Sequence, residues 1–268
     1  MPEGHTIHRL ATRHRELFAR QAVGADSPQG RFSAGASLIN GAKLESAEAY
    51  GKHLLHHYST GHTLHVHLGL YGKFREGTAP MPVPEGELRL RLWQRRHWTE
   101  LRGPSACELL DEPEVKTLRS RLGPDPIRGD GDPERAYARL KSSAKPLASL
   151  LMDQSIVAGA GLIFALEVLY RAKLTPFTPG SKLKPKQWTG IWADLETLMR
   201  QAVETGTIDT VRVQHMPEAM GRPARVDRHG GEVYVYRRPG QPCLVCGTEV
   251  KRGELNNRNM YWCPKCQR

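Results

Sequence analysis

Apolar residues recur with two different periods along this chain. From about Thr6 to Gln21 they fall at Ile7, Leu10, Ala11, Leu17 and Phe18, with Ala22 just beyond, the 3.6-residue spacing of an amphipathic helix. The pattern then breaks into short runs, Leu54 to Tyr58, Leu64 to Leu68 and Leu88 to Trp93. Gly, Pro and polar residues separate them, as they separate the strands of a β-sandwich or barrel. Beyond residue 135 the helical spacing returns. Leu147, Leu150 and Leu151 make one stripe and Ile163, Leu166, Leu169 and Tyr170 another, with the turn-like Val157-Ala158-Gly159-Ala160-Gly161 between them. The longest helix puts Trp188, Ile191, Trp192, Leu195, Leu198, Met199, Ala202 and Val203 on one face and stops at Gly206. All these stripes are expected to pack in cores. From Gly206 to Glu232 the chain is polar and irregular, the composition of a mobile loop, and no internal repeat is visible.

The change of period predicts an α+β protein. An N-terminal β-sandwich flanked by helices occupies residues 1–123, and a Pro-, Gly- and Asp-rich linker covers 124–134. A helical domain runs over 135–236 and a small module over 237–268. Charge sharpens this division. The 268 residues carry 39 Lys and Arg against 28 Asp and Glu, a net +11. By segment the balance is +4 over 1–123, −3 over 124–134, +5 over 135–205, zero over 206–236 and +5 over 237–268. A terminal module that basic points to a polyanionic partner. No run approaches the roughly 18 apolar residues a spanning helix needs, so no membrane role is expected. Five cysteines are too few and too clustered for a disulfide scaffold. No apolar signal core follows Met-Pro-Glu-Gly-His, and the reducing cytoplasm is the expected setting.

Cys243-x₂-Cys246 and Cys263-x₂-Cys266 form two knuckles separated by 16 residues. Four thiolates at this spacing close a tetrahedral site for one zinc ion, with Gly247 and Pro264 supplying the turns. With every position taken by protein, the metal is structural. Lys251, Arg252, Asn256, Asn257, Arg258 and Asn259 lie between the knuckles, suited to phosphate contacts. Cys107 stands apart as a small core residue. At the other end, Pro2 is small enough to permit removal of Met1. This would leave a nucleophilic secondary amine beside the Glu3 carboxylate, near the positive end of the first helix.

The blocks MPEGHTIHRLA, GKHLLHHY at 51–58, HLGLYGKF at 67–74, RLGPDPI at 121–127, LLMDQSIVAGAGLIFALEVLYRAKLTP at 150–176 and the terminal PCLVCGTEVKRGELNNRNMYWCPKCQR follow one another in order. Together they resemble the formamidopyrimidine-DNA glycosylase and endonuclease VIII family over essentially the whole chain. The MPEGHT start and Leu70-Tyr71-Gly72 look more like the endonuclease VIII branch, especially its actinobacterial members. The resemblance implies a helix–two-turn–helix in the second domain, a zinc-finger β-hairpin at the end, and DNA lying across a cleft between the main domains. It implies a bifunctional DNA glycosylase and AP lyase of base-excision repair, acting on oxidised bases, with pyrimidines expected. Pro2 would be the Schiff-base nucleophile and Glu3 the general acid. Lys52 would engage the lesion phosphate, and Arg258 would grip phosphate and assist δ-elimination. Leu70 and Tyr71 would fill the gap left by the flipped base, Arg121 would hold the backbone, and Gly161 would lie at a phosphate-binding turn. A monomer acting on damaged double-stranded DNA in a bacterial nucleoid is expected, with no small-molecule cofactor.

Two positions depart from the family pattern. Leu162 follows Gly161 where the family has Asn, and a leucine side chain donates no hydrogen bond to phosphate. The alternative this raises is a catalytically impaired DNA-binding paralogue. Gly69 stands where endonuclease VIII proteins often carry Gln beside the Leu-Tyr pair. A zinc-ribbon RNA-binding protein would share only the C-terminal block. His56-His57 and His65-Val66-His67 lack an accompanying carboxylate motif, so strand hydrogen bonding is expected of them rather than a second metal. Residues 157–161 lack the companion residues of a nucleotide-binding loop.

Overall fold

The computed structural model describes residues 2–226 and 231–268. The chain forms two compact units that meet in sequence between Arg121 and Leu122.

The first unit begins with α1 (Gly4–Phe18), β1 (Gly24–Asp26) and α2 (Ser33–Ile39). β2 (Leu44–Tyr50), β3 (His53–Tyr58), β4 (Thr63–His67), β5 (Lys73–Thr78), β6 (Leu88–Trp93), β7 (His97–Arg102) and β8 (Ala106–Leu110) follow, and α3 (Glu112–Ser120) closes it. The strands pair into two antiparallel four-stranded sheets, ordered β1-β6-β7-β5 and β2-β3-β4-β8. Leu54, Leu64 and Val66 of one sheet share a single buried core with Leu90, Leu92 and Leu101 of the other. Ile7, Ala11, Leu17 and Phe18 of α1 join them, so the expected sandwich with a flanking helix is present.

Helix α1 ends three residues short of the expected Gln21. The reason is local: Arg20 adopts φ +65° and turns the chain so that its N–H reaches Leu44 O at 2.7 Å. Arg15 Nη1 donates to Ala47 O at 3.0 Å, so α1 runs antiparallel to β2 and packs along β2 and β3. From Arg15 back to Gly4 the helix spans about 16 Å. From Ala47 to Lys52 the strand also spans about 16 Å. The helix therefore runs back along the sheet toward the β2–β3 turn.

The second unit holds α4 (Pro133–Lys141), α5 (Leu147–Met152), α6 (Leu162–Arg171), α7 (Pro185–Thr205), α8 (Pro217–Met220) and the hairpin β9 (Lys251–Leu255) and β10 (Arg258–Trp262). Residues 124–134, linker-like in composition, are built into it. Asp125 is buried and its Oδ1 accepts from Ile127 N at 2.9 Å, while Asp132 caps α4 by accepting from Glu134 N and Arg135 N. Asp125 and Asp132 thus bind backbone amides, while Asp130 pairs with Arg128. The turn joining α5 to α6 is laced by Gln154, which donates to Met152 O and Ala160 O and accepts from Gly159 N, each at 2.9 Å.

The polar stretch from Gly206 to Glu232, expected to be a mobile loop, includes residues 227–230, which lie outside the described residues. Its described part is tied down. Thr210 N donates to Glu232 O at 2.8 Å, Glu232 N donates to Asp209 Oδ1 at 2.7 Å, and Arg222 pairs with the Glu232 carboxylate at 2.7 Å. The core of the second unit runs from Phe164, Leu169 and Trp188 on the helices to Cys243, Val250, Met260, Tyr261 and Cys263. The C-terminal module thus shares its apolar interior with the helices.

Candidate active site and metal centre

In the first unit, Glu3 is wholly buried at the N-cap of α1, with Pro2 half-buried before it. Burial also governs the adjacent His5: with Arg9 and His8 adding like charge, it brings the imidazole down to about 4. Lys52 occupies the second place of a two-residue hairpin turn between the paired Tyr50 and His53. Gly51 before it has φ +57°, which the first central position of a type II′ turn requires. The sequence folds tightly here because glycine is the residue that tolerates this backbone, and the turn carries Lys52 at its tip.

Histidines line the sheet next to Lys52. His65 Nδ1 lies 2.9 Å from Glu108 Oε1, and His65 Nε2 lies 2.8 Å from His53 Nδ1. A carboxylate only accepts, so it sets both tautomers. His65 donates from Nδ1 to Glu108, and with a singly protonated His65 ring His53 donates from Nδ1 and keeps a lone pair on Nε2. His67 Nδ1 meets Ser105 Oγ at 2.6 Å. Burial, reinforced by His65, His67 and Lys52, pushes His53 down to about 3, and burial lowers His67 as well. His53 and His67 are therefore neutral at ordinary pH. Strand hydrogen bonding was the expectation for His65 and His67. The roles of His53 and Glu108 were not foreseen, although the alternation of histidines across paired strands was available as a signal.

Leu70 and Tyr71 project from a tight turn between β4 and β5, at 62% and 85% exposure, values far above those of the core apolar residues. Gly72 N donates to Leu68 O at 2.9 Å, and a Cβ on Gly72 would fall 2.2 Å from that oxygen. Gly69 has φ +65°, and a Cβ there would press on Ser105 at 3.0 Å. The glutamine often found in endonuclease VIII proteins would be strained in this backbone. Arg121 is exposed at the C-cap of α3.

In the second unit, Gly161 is the buried N-cap of α6, and the half-buried Leu162 begins the helix and packs on the core. Asn256 and Asn257 both adopt positive φ in the β9–β10 turn, as a type I′ hairpin demands. The hairpin tip is seated on α5, where Asn256 Nδ2 donates to Ser149 Oγ at 3.1 Å and the exposed Arg258 donates to Met152 Sδ at 3.3 Å. Ser149 had no signal in the sequence beyond the helical stripe beside it, and Met152 lay in the 150–176 block with no role assigned.

The sulfurs of Cys243, Cys246, Cys263 and Cys266 all lie within 4.8 Å of one another. Cys243 and Cys266 are 3.9 Å apart and Cys246 and Cys263 are 3.5 Å apart. Zn–S bonds of about 2.3 Å in a tetrahedron need sulfurs about 3.8 Å apart, so the four fit one zinc ion. Cys266 N–H points at Cys263 Sγ at 3.5 Å, and Gly247 N donates to Cys243 O at 3.0 Å, shaping the knuckles. The metal here would cross-link two chain segments and has no open position for a reacting group. Cys107 is separate, half-buried against the first core, and burial raises its thiol to about 12.

Comparison with known proteins agrees with both units. Residues 1–104 match the formamidopyrimidine-DNA glycosylase N-terminal domain and residues 122–214 the formamidopyrimidine-DNA glycosylase H2TH domain. Residues 240–268 match a zinc finger found in FPG and IleRS. The chain is 44% identical over 272 residues to endonuclease 8 1 of Mycobacterium tuberculosis, with 100% of both chains covered. It is 33% identical over 276 residues to formamidopyrimidine-DNA glycosylase of Thermus thermophilus, covering 100% of this chain and 98% of that one. The crystal structure of MutM from Thermus thermophilus superposes with a TM-score of 0.77 at 29% identity, over 99% of this chain and 98% of that one. Lactococcus lactis Fpg, crystallised with DNA containing an abasic site, shares the fold at a TM-score of 0.82 and 22% identity, with 99% of each chain covered.

Proposed function

The chain belongs to the formamidopyrimidine-DNA glycosylase and endonuclease VIII family, whose members are DNA glycosylases with AP lyase activity, and we propose that it excises oxidised bases, pyrimidines foremost, from double-stranded DNA. What supports the residue assignment is Glu3, wholly buried at the N-cap of α1, on a helix that packs along β2 and β3, the two strands whose turn bears Lys52. After removal of Met1, the Pro2 nitrogen attacks C1′ of the extruded nucleotide and the damaged base leaves. Glu3, buried at the helix N-cap, is the acid that protonates the sugar ring oxygen as the ring opens to the iminium. Loss of the C2′ proton expels the 3′ phosphate, and a second elimination expels the 5′ phosphate. Lys52 binds the lesion phosphate in this scheme, and Arg258 grips phosphate for the second elimination. Leu70 and Tyr71 are exposed apolar wedges for the vacated stack, and Arg121 and the α6 start at Gly161 hold backbone phosphates. The protein acts as a monomer in this reading.

Borohydride reduction on abasic-site duplex DNA tests it. The Met1-processed protein should form a covalent adduct that maps to Pro2, and protein retaining Met1 should form none. An adduct on a lysine, or no adduct despite tight binding, would overturn the assignment. The second outcome favours the impaired-paralogue reading that Leu162 raises. Leu162→Asn bears on the same point. One added side-chain hydrogen bond to phosphate contributes about 1–3 kcal/mol. Affinity for a duplex with a tetrahydrofuran abasic analogue should therefore rise about 5- to 150-fold by fluorescence anisotropy. An unchanged affinity would show that Leu162 costs nothing in binding.

A further inference from the structure

Helix α6 reaches from its DNA-facing start to the zinc centre, and one side chain near its end touches a metal ligand. Tyr170 is 5% exposed, and its Oη lies 3.0 Å from Cys243 Sγ. A metal-bound thiolate has no proton, so in the zinc form the phenol is the donor and the sulfur the acceptor. The ring is fixed for this task by stacking on Tyr234, with centroids 4.4 Å apart and an interplanar angle of 22°. Tyr234 is itself held at its hydroxyl, which accepts from Arg212 N at 3.0 Å and meets His215 Nδ1 at 2.9 Å.

One turn earlier on α6, the buried Glu167 clamps the chain leading into the first knuckle. It accepts from Tyr234 N at 2.7 Å, Val235 N at 2.9 Å and Tyr236 N at 2.8 Å. Arg238 continues the clamp by donating to Pro242 O at 2.9 Å, next to Cys243. Position and orientation of Cys243 relative to α6 are thereby set from both sides.

We propose that Tyr170 is an outer-shell donor to the zinc-bound Cys243 sulfur, slowing metal loss and tying zinc retention to helix α6. Four thiolates give a ZnS₄ centre a net charge of −2, and a hydrogen bond to one sulfur draws off part of that charge in a buried site of low dielectric. The donor stabilises the thiolate against protonation and dissociation. Outer-shell partners of this kind typically alter metal affinity 10- to 100-fold.

Tyr170→Phe removes the hydroxyl and keeps the ring that stacks on Tyr234. Zinc release from the loaded full chain to 4-(2-pyridylazo)resorcinol should become about 10- to 100-fold faster. In the cobalt(II)-substituted variant the sulfur-to-metal charge-transfer band should move to lower energy, as a less hydrogen-bonded thiolate requires. Far-ultraviolet circular dichroism of the loaded variant should match the wild type. A release rate within twofold of wild type together with an unshifted band would overturn the proposal. A variant that fails to fold with zinc in excess would overturn it too, because the effect would then belong to the packing of the unit.

Discussion

Stripping zinc from the four cysteines is expected to unfold the C-terminal hairpin and strongly destabilise the helical unit with it. Apparent binding free energies for structural zinc in small finger peptides are about 10–16 kcal/mol at neutral pH, and in such modules binding energy is folding energy. Here the consequence extends further than the module itself. Val250, Met260 and Tyr261 are buried in the same core as Phe164, Leu169 and Trp188, so releasing the knuckles opens the helical core to water. Trp262 packs edge-to-face on Phe177 with centroids 5.0 Å apart, which gives a local optical probe. Chelation, or Cys246→Ser with loss of bound metal, should red-shift Trp262 emission and lower the thermal midpoint of the helical unit by more than 10 °C. That figure follows from losing several kcal/mol in a unit of this size. The first unit has its own core and should keep its transition. Chelated protein that melts like the loaded form would defeat the expectation.

The second large effect is acid instability of the first unit between pH 6.5 and 4. His14 Nδ1 and His56 Nε2 face each other at 3.0 Å in the core, and both rings are fully buried. Burial, with the Arg13 charge adding to it, pushes His14 down to about 4, and burial with His14 and His57 holds His56 well below its ordinary value. The folded pKa lies below the unfolded one in each case. As pH falls through about 6.5, the unfolded chain takes up protons that the folded chain refuses. Stability is therefore complete above 6.5 and declines at least until His14 titrates near 4. A depression from 6.5 to about 4 corresponds to roughly 3 kcal/mol for His14, and His5 contributes similarly. Losses of that size are comparable to the whole stability of a small domain. Urea unfolding followed at pH 7.5, 6 and 5 should show a steep fall, and His14→Phe combined with His56→Leu should flatten it. Equal slopes in the double variant and wild type would show that other groups carry the acid sensitivity.

The parts of the structure that were legible in sequence are those where chemistry repeats. Apolar period marked α1, α6 and α7, and Cys-x₂-Cys spacing marked the metal centre, because both patterns arise from local geometry. The less visible parts depend on pairing with distant partners. β5 reads Lys-Phe-Arg-Glu-Gly-Thr and is a strand because β7 supplies its ladder. His14 and His56 look like surface residues and are buried because each presents a ring nitrogen to the other. The acidic run 124–134 resembles a spacer until Asp125 and Asp132 are seen bonded to amides. In the candidate site, Pro2, Glu3, Lys52 and Arg258 stand out in the sequence as motif residues of the proposed chemistry. Their supports were hidden: Glu108 and Ser149 belong to no motif, and Met152 and Tyr170, inside the 150–176 block, matter only through three-dimensional neighbours.

The antiparallel match of α1 with β2 makes the helix a measuring rod. Its far end is pinned where Arg15 and Arg20 bond β2, and from there it runs back toward the β2–β3 turn. One residue inserted between Ile7 and Arg15 would push the chain start about 1.5 Å along the axis and swing it about 100° around it. Point substitutions on the outer face of α1 leave that spacing untouched, whereas a change of length does not. Insertions and deletions among relatives should accordingly collect in loops such as 79–87 and avoid α1. A library that varies helix length would register the distance from the Arg15 anchor to Pro2, the proposed nucleophile, as an all-or-none requirement.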